Sequence, residues 1–472
     1  MLFGMANDEL DDREAPGSGA PAQSLTLFPL PPPTALRRRP VGPDPRRGAR
    51  LREAERSQIV WGRLDLDAML PENHPARAIW LLMERLDLSP LYARIEARDD
   101  SPGASVIDPR ILLALWVYAT SEGEGSAREI WRLTSLHAGY RWLCGGVAVG
   151  YHTLSDFRSD SAAVINGLVT QVLALLLRGH LVEITRVAQD GTRVRARAGA
   201  SSFRREPSLH ALMQQARAHL DAVTREAKDP AISARRAAAR KRGAAERLAR
   251  LEAALQQMPD VTATKERNAS QQRKGAKDTT PRVSTTDPEA RVMKMSDGGF
   301  RPAFNVQFAT TTDHARVIVG VAVTNRGSDM GQSTPMLDQI EQRTGVRPTE
   351  LLIDGGYPSH AAIDAAAERG AVVYAPLPKT REGDARDPHL PREGDSEAVA
   401  DWRRRMATDE AKTIYKERAA TAETVNADAK AHRKSRPDSR SRTRQGARLG
   451  FLVRLHLQHP AFHQPRWLSA PR

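Results

Sequence analysis

The sequence predicts an α/β protein in which an all-helical amino-terminal domain precedes a mixed-sheet domain interrupted by a helical insertion. Three observations carry that prediction. Apolar residues recur at helical spacing between Leu51 and Leu181, with capping residues at the starts of the runs. Beyond Val182, β-branched runs first follow one another and then alternate with helical segments, the order of a mixed sheet. Between these strands lies an Arg-rich, helix-forming stretch, residues 206–281. A chain of 472 residues that is 40% hydrophobic has length for two or three domains and a sizeable core, which excludes a disulfide-stapled miniprotein and a wholly disordered chain.

Charge narrows the partners. With 71 Lys and Arg against 57 Asp and Glu the chain carries +14, and its pI is near 10.2, which favours a polyanionic partner, nucleic acid before membrane. The longest apolar run, Leu168 to Leu177, includes Gln171 and stops at Arg178, too short and polar to cross a bilayer. The opening MLFGMANDELDDRE lacks the basic start and apolar stretch of a secretory signal, so no membrane association and a cytoplasmic, nucleoid-associated location are expected. Cys144, the single cysteine, cannot form an internal disulfide or a cysteine-based zinc site and is expected as a buried, inert thiol.

Residues 1–50 combine PLPPPT, RRRP and DPRRG with few large apolar groups, the composition of a disordered tail. Residues 51–181 are expected to form four or five short helices. Asn73 precedes His74-Pro75, after which Ile79, Leu82, Met83 and Leu86 recur at helical spacing. Asp108-Pro109 opens the run Ile111 to Tyr118 with a capping residue and an N1 proline, and Ser126 with Glu129 forms a capping-box pair. The last helix sets Val164, Leu168, Val172 and Leu175 on one face. Arg128, Arg132, Arg141 and Arg158 fall near the turns, where they suit DNA phosphates.

The sheet domain, residues 182–433, begins with a strand from Val182 to Val187. Asp190-Gly191 is a hairpin-turn signature, followed by an extended stretch from Arg193 to Ala196. Residues 209–226 and 231–257 read as an antiparallel helical hairpin broken at Lys228-Asp229-Pro230, with 258–281 as a polar return. Strands then run from Phe304 to Thr312 and from Arg316 to Thr324 around the turn Asp313-His314-Ala315. A helix over Pro335 to Thr344 leads to a strand, Glu350 to Ile353, that ends at Asp354-Gly355-Gly356. The helix Ala361 to Arg369, the strand Ala371 to Tyr374, a charged loop from Lys379 to Arg392 and the helix Asp409 to His432 complete the domain.

The chain carries no Walker loop, no dinucleotide glycine fingerprint, no paired-histidine zinc helix and no G-x-S-x-G elbow. What stands out instead are acidic residues at strands and in one helix: Asp190 in VAQDGTRVRA, Asp354 in ELLIDGGYPS and Glu423 in YKERAATAETVNADAK. Each has an ordinary reading, a turn for either Asp-Gly pair and a solvated surface for the helical glutamate. Together they suit magnesium, which takes oxygen ligands and keeps several waters. Two such ions about 4 Å apart can serve both the attacking and the leaving oxygen in phosphodiester chemistry. Glu423 and Lys430 lie two turns apart and share a face, with Asn426 one turn beyond Glu423, so Lys430 suits a DNA phosphate beside the metal. Arg418 points away from that stripe.

From about Gln58 to Arg433 the stretches HPARAIW, DPRILLALWVYA, GSAREIWRL, RWLCGG, HTLSDFR, VAQDGTRVRA, STTDPEARVMKM, FNVQFATTTD and DGGY resemble a DDE-type transposase of a bacterial insertion sequence. The resemblance implies an RNase H-like catalytic domain behind a helical domain that binds DNA ends. It implies Asp190 and Asp354 as the two catalytic aspartates and Glu423 as the glutamate, all three also ligands of two Mg2+ ions, for which Mn2+ can substitute. Tyr415, Arg418, Glu423 and Lys430 supply the family's Tyr, Arg, Glu, Lys helix pattern, and with Asn426 they join Arg128, Arg132 and Arg158 as the DNA-contacting set. The implied reaction is hydrolysis at the element's ends and attack of the freed 3′-hydroxyl on target DNA, with no covalent Ser or Tyr intermediate. Implied partners are the terminal inverted repeats, target DNA and further copies of the chain in a synaptic homo-oligomer. Three carboxylates in one pocket also imply at least one raised pKa.

Past Arg433 the resemblance stops. Between Ala431 and Leu449 there is no Leu, Ile, Val, Phe or Met to cover the glutamate helix, so residues 434–472 are read as an irregular end, either frameshifted or diverged. A second functional class therefore stands beside the enzyme: a catalytically impaired DNA-binding remnant or repressor.

Overall fold

A computed structural model describes residues 65–95, 105–227, 233–271, 280–378 and 386–427. The expected amino-terminal tail, the carboxy-terminal end and Lys430 lie outside the described residues.

The amino-terminal part is helical, as its sequence periodicity requires. It comprises α1 (Pro75–Arg85), α2 (Ser89–Tyr92), α3 (Pro109–Ser121), α4 (Ala127–Leu136), α5 (Ala138–Cys144), α6 (Tyr151–Asp160) and α7 (Ala162–Arg178). That is more pieces than the four or five expected. Asp108 caps α3 by accepting the Arg110 N–H at 2.8 Å, and Ser126 caps α4 by accepting the Glu129 N–H. At α1 the cap is His74, one residue later than Asn73, and its Nδ1 accepts the Ala76 N–H. Helix α3 is apolar on all sides and sits at the centre of this part, with every residue from Ile111 to Thr120 buried. On α7 the buried stripe is Ile165, Leu168, Val169, Leu173 and Leu176 rather than the Val164 to Leu175 row, because the helix packs on more than one neighbour. Burial pushes the Cys144 thiol up to about 11, the behaviour of an inert core residue.

The sheet starts with β1 (Arg186–Arg195). A two-residue strand β2 (Phe203–Arg204) leads into α8 (Glu206–Glu226), α9 (Ala234–Gln256) and α10 (Met258–Gln271), and β3 (Val283–Ser284) returns to pair with β2. Then come β4 (Arg291–Lys294), β5 (Phe300–Thr311), β6 (Ile318–Thr324), α11 (Ser333–Thr344), β7 (Glu350–Leu352), α12 (His360–Glu368), β8 (Val372–Tyr374), α13 (Glu397–Ala407) and α14 (Asp409–Ala427). The order across the sheet is β4-β5-β1-β7-β8, with β6 also paired to β5. Strand β5 is antiparallel to β1 and β6, whereas β7 and β8 run parallel to β1 through helical connections. This is the mixed α/β sheet with a helical insertion that the sequence predicts.

Two expectations are corrected here, and one helix is added. Asp190-Gly191 is not a turn: β1 starts at Arg186 rather than Val182 and runs through it unbroken, paired with β5 from Val187 to Arg195. Glycine is there because Gly191 lies opposite Gln307, where a Cβ would stand 2.4 Å from both Asp329 Oδ1 and Gln307 Nε2. Residues 258–271 form α10 instead of a loose return, since Met258 and Val261 extend the apolar cluster of the hairpin. Helix α13 follows the charged segment unannounced; Ser396 caps it, and Arg403 and Asp395, both nearly fully buried, pair at 2.7 Å at its base.

The core is continuous from helices to sheet: Val187, Phe308 and Ile318 belong to the same cluster as Leu115, Leu154 and Leu173. A second cluster around Leu351, Ile353, Tyr357, Val373 and Trp402 lies between β7, β8, α12 and α13. The hairpin has its own small core of Leu209, Ala216, Leu251 and Ala254. Leu251→Ala is therefore expected to cost about 2–5 kcal/mol locally. Hydrogen exchange would speed up over residues 206–261 and stay unchanged in β1 and β5. Gly191→Ala is expected to cost the whole sheet about 1–3 kcal/mol through overpacking, read as a lower denaturant midpoint.

Candidate active site

Asp190 sits in the middle of β1. The parallel register ends with Ala188 paired to Leu352; carried two residues further it sets Asp354, just beyond the end of β7, level with Asp190 and on the same face, and the Asp354 charge reaches the Asp190 carboxyl. Strands lie about 4.8 Å apart, so the two carboxylates are neighbours. Asp354 belongs to a tight turn in which its Oδ1 accepts the Gly356 N–H at 2.8 Å and its carbonyl accepts the Tyr357 N–H at 3.2 Å.

Helix α14 covers this face of β1. Asn426 Nδ2 donates to Asp190 Oδ2 at 2.8 Å, Arg418 Nη1 stands 3.8 Å from the same oxygen, and the Gly191 N–H donates to Oδ1. The Arg418 guanidinium also lies over the Tyr415 ring, 5.7 Å from its centroid. Arg186, at the start of β1, anchors the helix by pairing with Glu417 at 2.8 Å and with Glu350 of β7. Sequence spacing put Glu423 and Lys430 on one working face and turned Arg418 away. The structure instead turns Arg418, Ala422 and Asn426 toward the sheet, while Glu423 is exposed. The reason is packing: Ala411, Thr421, Ala422 and Val425 are the residues of α14 that are buried, against α13 as well as the sheet, and they fix the rotation of the helix.

Burial, more than any other influence, pushes the Asp190 carboxyl above the usual carboxylate range. The charges of Asp354 and Asp329 add to the rise, and the Gly191 N–H and the Arg418 guanidinium oppose it. Burial likewise raises the Tyr415 and Tyr357 phenols, both within reach of the two aspartate charges.

The oxygens gathered here suit a hard divalent cation. Asp190 and Asp354 are adjacent carboxylates, and Asn426 Oδ1 beside them is buried with no hydrogen-bond partner among the described residues. No group of three or more His, Cys, Asp or Glu residues forms a metal-holding cluster among the described residues, and Glu423 is exposed.

Of the helical arginines, Arg128 is exposed and stacks on Tyr151 at 5.1 Å, and Arg132 pairs with Glu129 within α4. Arg158 is half-buried: it donates to the Gly125 carbonyl at 2.8 Å and lies over the Trp116 ring at 4.5 Å. Sequence reading missed Gln189, Asn305, Gln307, Asp329 and Tyr357, which form a buried polar group beneath β1. Their signal was present in FNVQFATT, where Asn305 and Gln307 alternate on one face of an otherwise apolar strand.

Among the described residues no single helix is long and apolar enough to cross a membrane. In comparisons with known proteins, the family described as transposase domain (DUF772) matches residues 64–160, and the family described as transposase DDE domain matches residues 266–457. The first match spans α1 to α6, and the second contains Asp329, Asp354 and Glu423 and runs past Arg433. Asp190 falls between them. No curated protein and no solved structure matches the chain.

The raised Asp190 carboxyl has a consequence for stability. A carboxyl whose folded pKa is raised contributes fully below its unfolded value, and that contribution is lost as pH rises through the folded value. Without added divalent metal, Asp190→Asn is therefore expected to melt above the unaltered protein at pH 7. The advantage should shrink as pH falls below the usual carboxylate range, as followed by thermal denaturation at several pH values.

Proposed function

We propose that this chain, a DDE-type transposase of an insertion sequence by both of its matched domains, cuts and rejoins DNA at the ends of its element with Asp190, Asp354 and Glu423 as the acidic set. The observation that carries the reading is the pair Asp190, on β1, and Asp354, just past the end of the parallel neighbour β7, with Asn426 and Arg418 of α14 laid over Asp190. Transposases of this kind act on DNA and use divalent ions, and a net charge of +14 suits such a partner.

Asp190 and Asp354, with Asn426 and with Glu423 from the same helix, would hold Mg2+ or Mn2+, two ions in the full arrangement. A divalent ion there would activate the attacking oxygen and neutralise the charge that develops on the phosphate. Arg418, within reach of Asp190, offers a guanidinium to a phosphate oxygen, and Tyr415 holds it in place through its ring. In the first step a water oxygen forms a bond to phosphorus, the 3′-oxygen leaves and takes up a proton. In the second that 3′-hydroxyl attacks a target phosphate, and one phosphodiester replaces another, so no energy source is needed. No side chain becomes bonded to DNA.

Residues 51–181 are assigned to end recognition, with Arg128, Arg132 and Arg158 as phosphate contacts, and residues 182–433 to catalysis, with the 206–281 insertion as a basic arm. Lys430 belongs to the DNA-contacting set by its place in the helix pattern. Bringing two element ends together calls for more than one copy of the chain, acting at the nucleoid in the cytoplasm. The exposed position of Glu423, in no three-residue acidic cluster among the described residues, favours one second reading: a remnant or repressor that occupies the ends without cutting them.

The two readings part in a cleavage assay on terminal-repeat DNA with and without Mg2+. The enzyme reading expects Mg2+-dependent nicking at the repeat ends that falls to background in Asp354→Asn and Glu423→Gln, with end binding retained in both variants. Binding without nicking by the unaltered protein would favour the repressor. Nicking that ignores the repeat ends, or that survives Asp354→Asn, would sink the proposal.

A further inference from the structure

On the side of β1 opposite Asp190 lies a hydrogen-bonded polar group in an otherwise apolar interior. Asp329, 8% exposed, accepts from Asn305 Nδ2 at 2.6 Å and from Gln307 Nε2 at 2.7 Å, and pairs with Arg193 at 3.0 Å. Gln307 Oε1 in turn accepts from the Tyr357 hydroxyl and from Gln189 Nε2. Asn305, Gln307, Gln189 and Tyr357 are all fully buried. Replacing such a group by packed apolar residues is often neutral or stabilising, so stability alone does not account for it.

The group has a direction. An ionised carboxylate only accepts hydrogen bonds, so Asp329 obliges Gln307 to turn its NH2 inward. The amide oxygen is thereby left facing the phenol of Tyr357. Tyr357 follows Asp354 by one tight turn, and its own N–H donates to the Asp354 carbonyl. Asp354 needs such an anchor because the paired part of β7 ends at Leu352 and the last backbone bond to β8 is made by Ile353. Beyond that point nothing in the ladder fixes the carboxylate.

We infer that Tyr357, oriented through Gln307 by the buried Asp329, is the positioning residue that holds Asp354 level with Asp190. Tyr357 touches no reacting atom; it fixes the turn that carries the carboxylate. The inference rests on the proposed role of Asp190 and Asp354 in holding a divalent ion. It deepens that role by giving Tyr357, the last residue of the DGGY stretch, a support function on the far side of the strand that the spacing does not reveal.

The test uses Mn2+ binding to the full-length protein without DNA, followed by electron paramagnetic resonance, together with thermal melting and hydrogen exchange over residues 353–358. Tyr357→Phe keeps the ring and removes only the hydroxyl. The expected result is a melting temperature close to that of the unaltered protein, faster exchange at Gly356 and Tyr357, and Mn2+ affinity weaker by about 10-fold, the scale seen when the support of a metal ligand is lost. Asp329→Asn, which lets the Gln307 amide turn over, is expected to move the same two readouts. If Tyr357→Phe melts early, Asp329→Asn is judged by the same criterion. Unchanged Mn2+ affinity and unchanged exchange in a variant that is stably folded would overturn the inference. An Asp354→Asn variant that binds Mn2+ as tightly as the unaltered protein would instead bring down the metal reading beneath it. Loss in Asp354→Asn with no change in Tyr357→Phe would sink only the positioning role.

Discussion

The parallel pairing of β1 with β7 is the constraint on which the site depends. It brings two carboxylates from positions far apart in sequence to the same level on one face, Asp190 from within a strand and Asp354 from just beyond the end of one. A slip of one residue would turn one of them to the opposite face. The register is held from both sides: β5 pairs with β1 from Val187 to Arg195, and Arg186 ties the start of β1 to Glu350 on β7 and to Glu417 on α14. That ionic tie joins three elements at the end of the sheet away from the two aspartates, so it orients α14 without competing for them.

Two opposite environments meet across β1. One face presents a raised carboxyl beside an arginine, an asparagine with an unused oxygen and a second aspartate; the other buries a hydrogen-bonded set of amides, a phenol and Asp329. Gly191 lets the two come close, because a side chain there would collide with Asp329 and Gln307. Free energy lost by burying Asp190 among like charges is the ordinary signature of a site organised around a ligand rather than around its own stability.

The helical part was legible because its signals are local. Asp108-Pro109 and Ser126 announced α3 and α4, and both caps are made by the residues that the sequence offered. The strands were legible wherever β-branched residues ran together, as in β6. Local signals misled at Asp190-Gly191, where a turn signature was overruled by nine residue pairs with β5. They misled again on α14, where spacing could say which residues share a face but not which face the sheet would cover. Gln307 and Asn305 were readable as a pattern, yet their partner Asp329 lies in a loop whose placement depends on the fold around it.

By itself, then, the sequence determined the α/β class, the order of elements and the aspartates worth watching, because caps, periodicity and short motifs act within a few residues of the chain. Only the tertiary structure decided that Asp190 lies inside a strand, that Asp354 comes level with it, that α14 turns Arg418 and Asn426 rather than Glu423 toward the sheet, and that Asp329 and Tyr357 stand behind them. Each of those outcomes is a contact between distant segments, and its geometry follows from register and packing, which no single stretch of residues encodes.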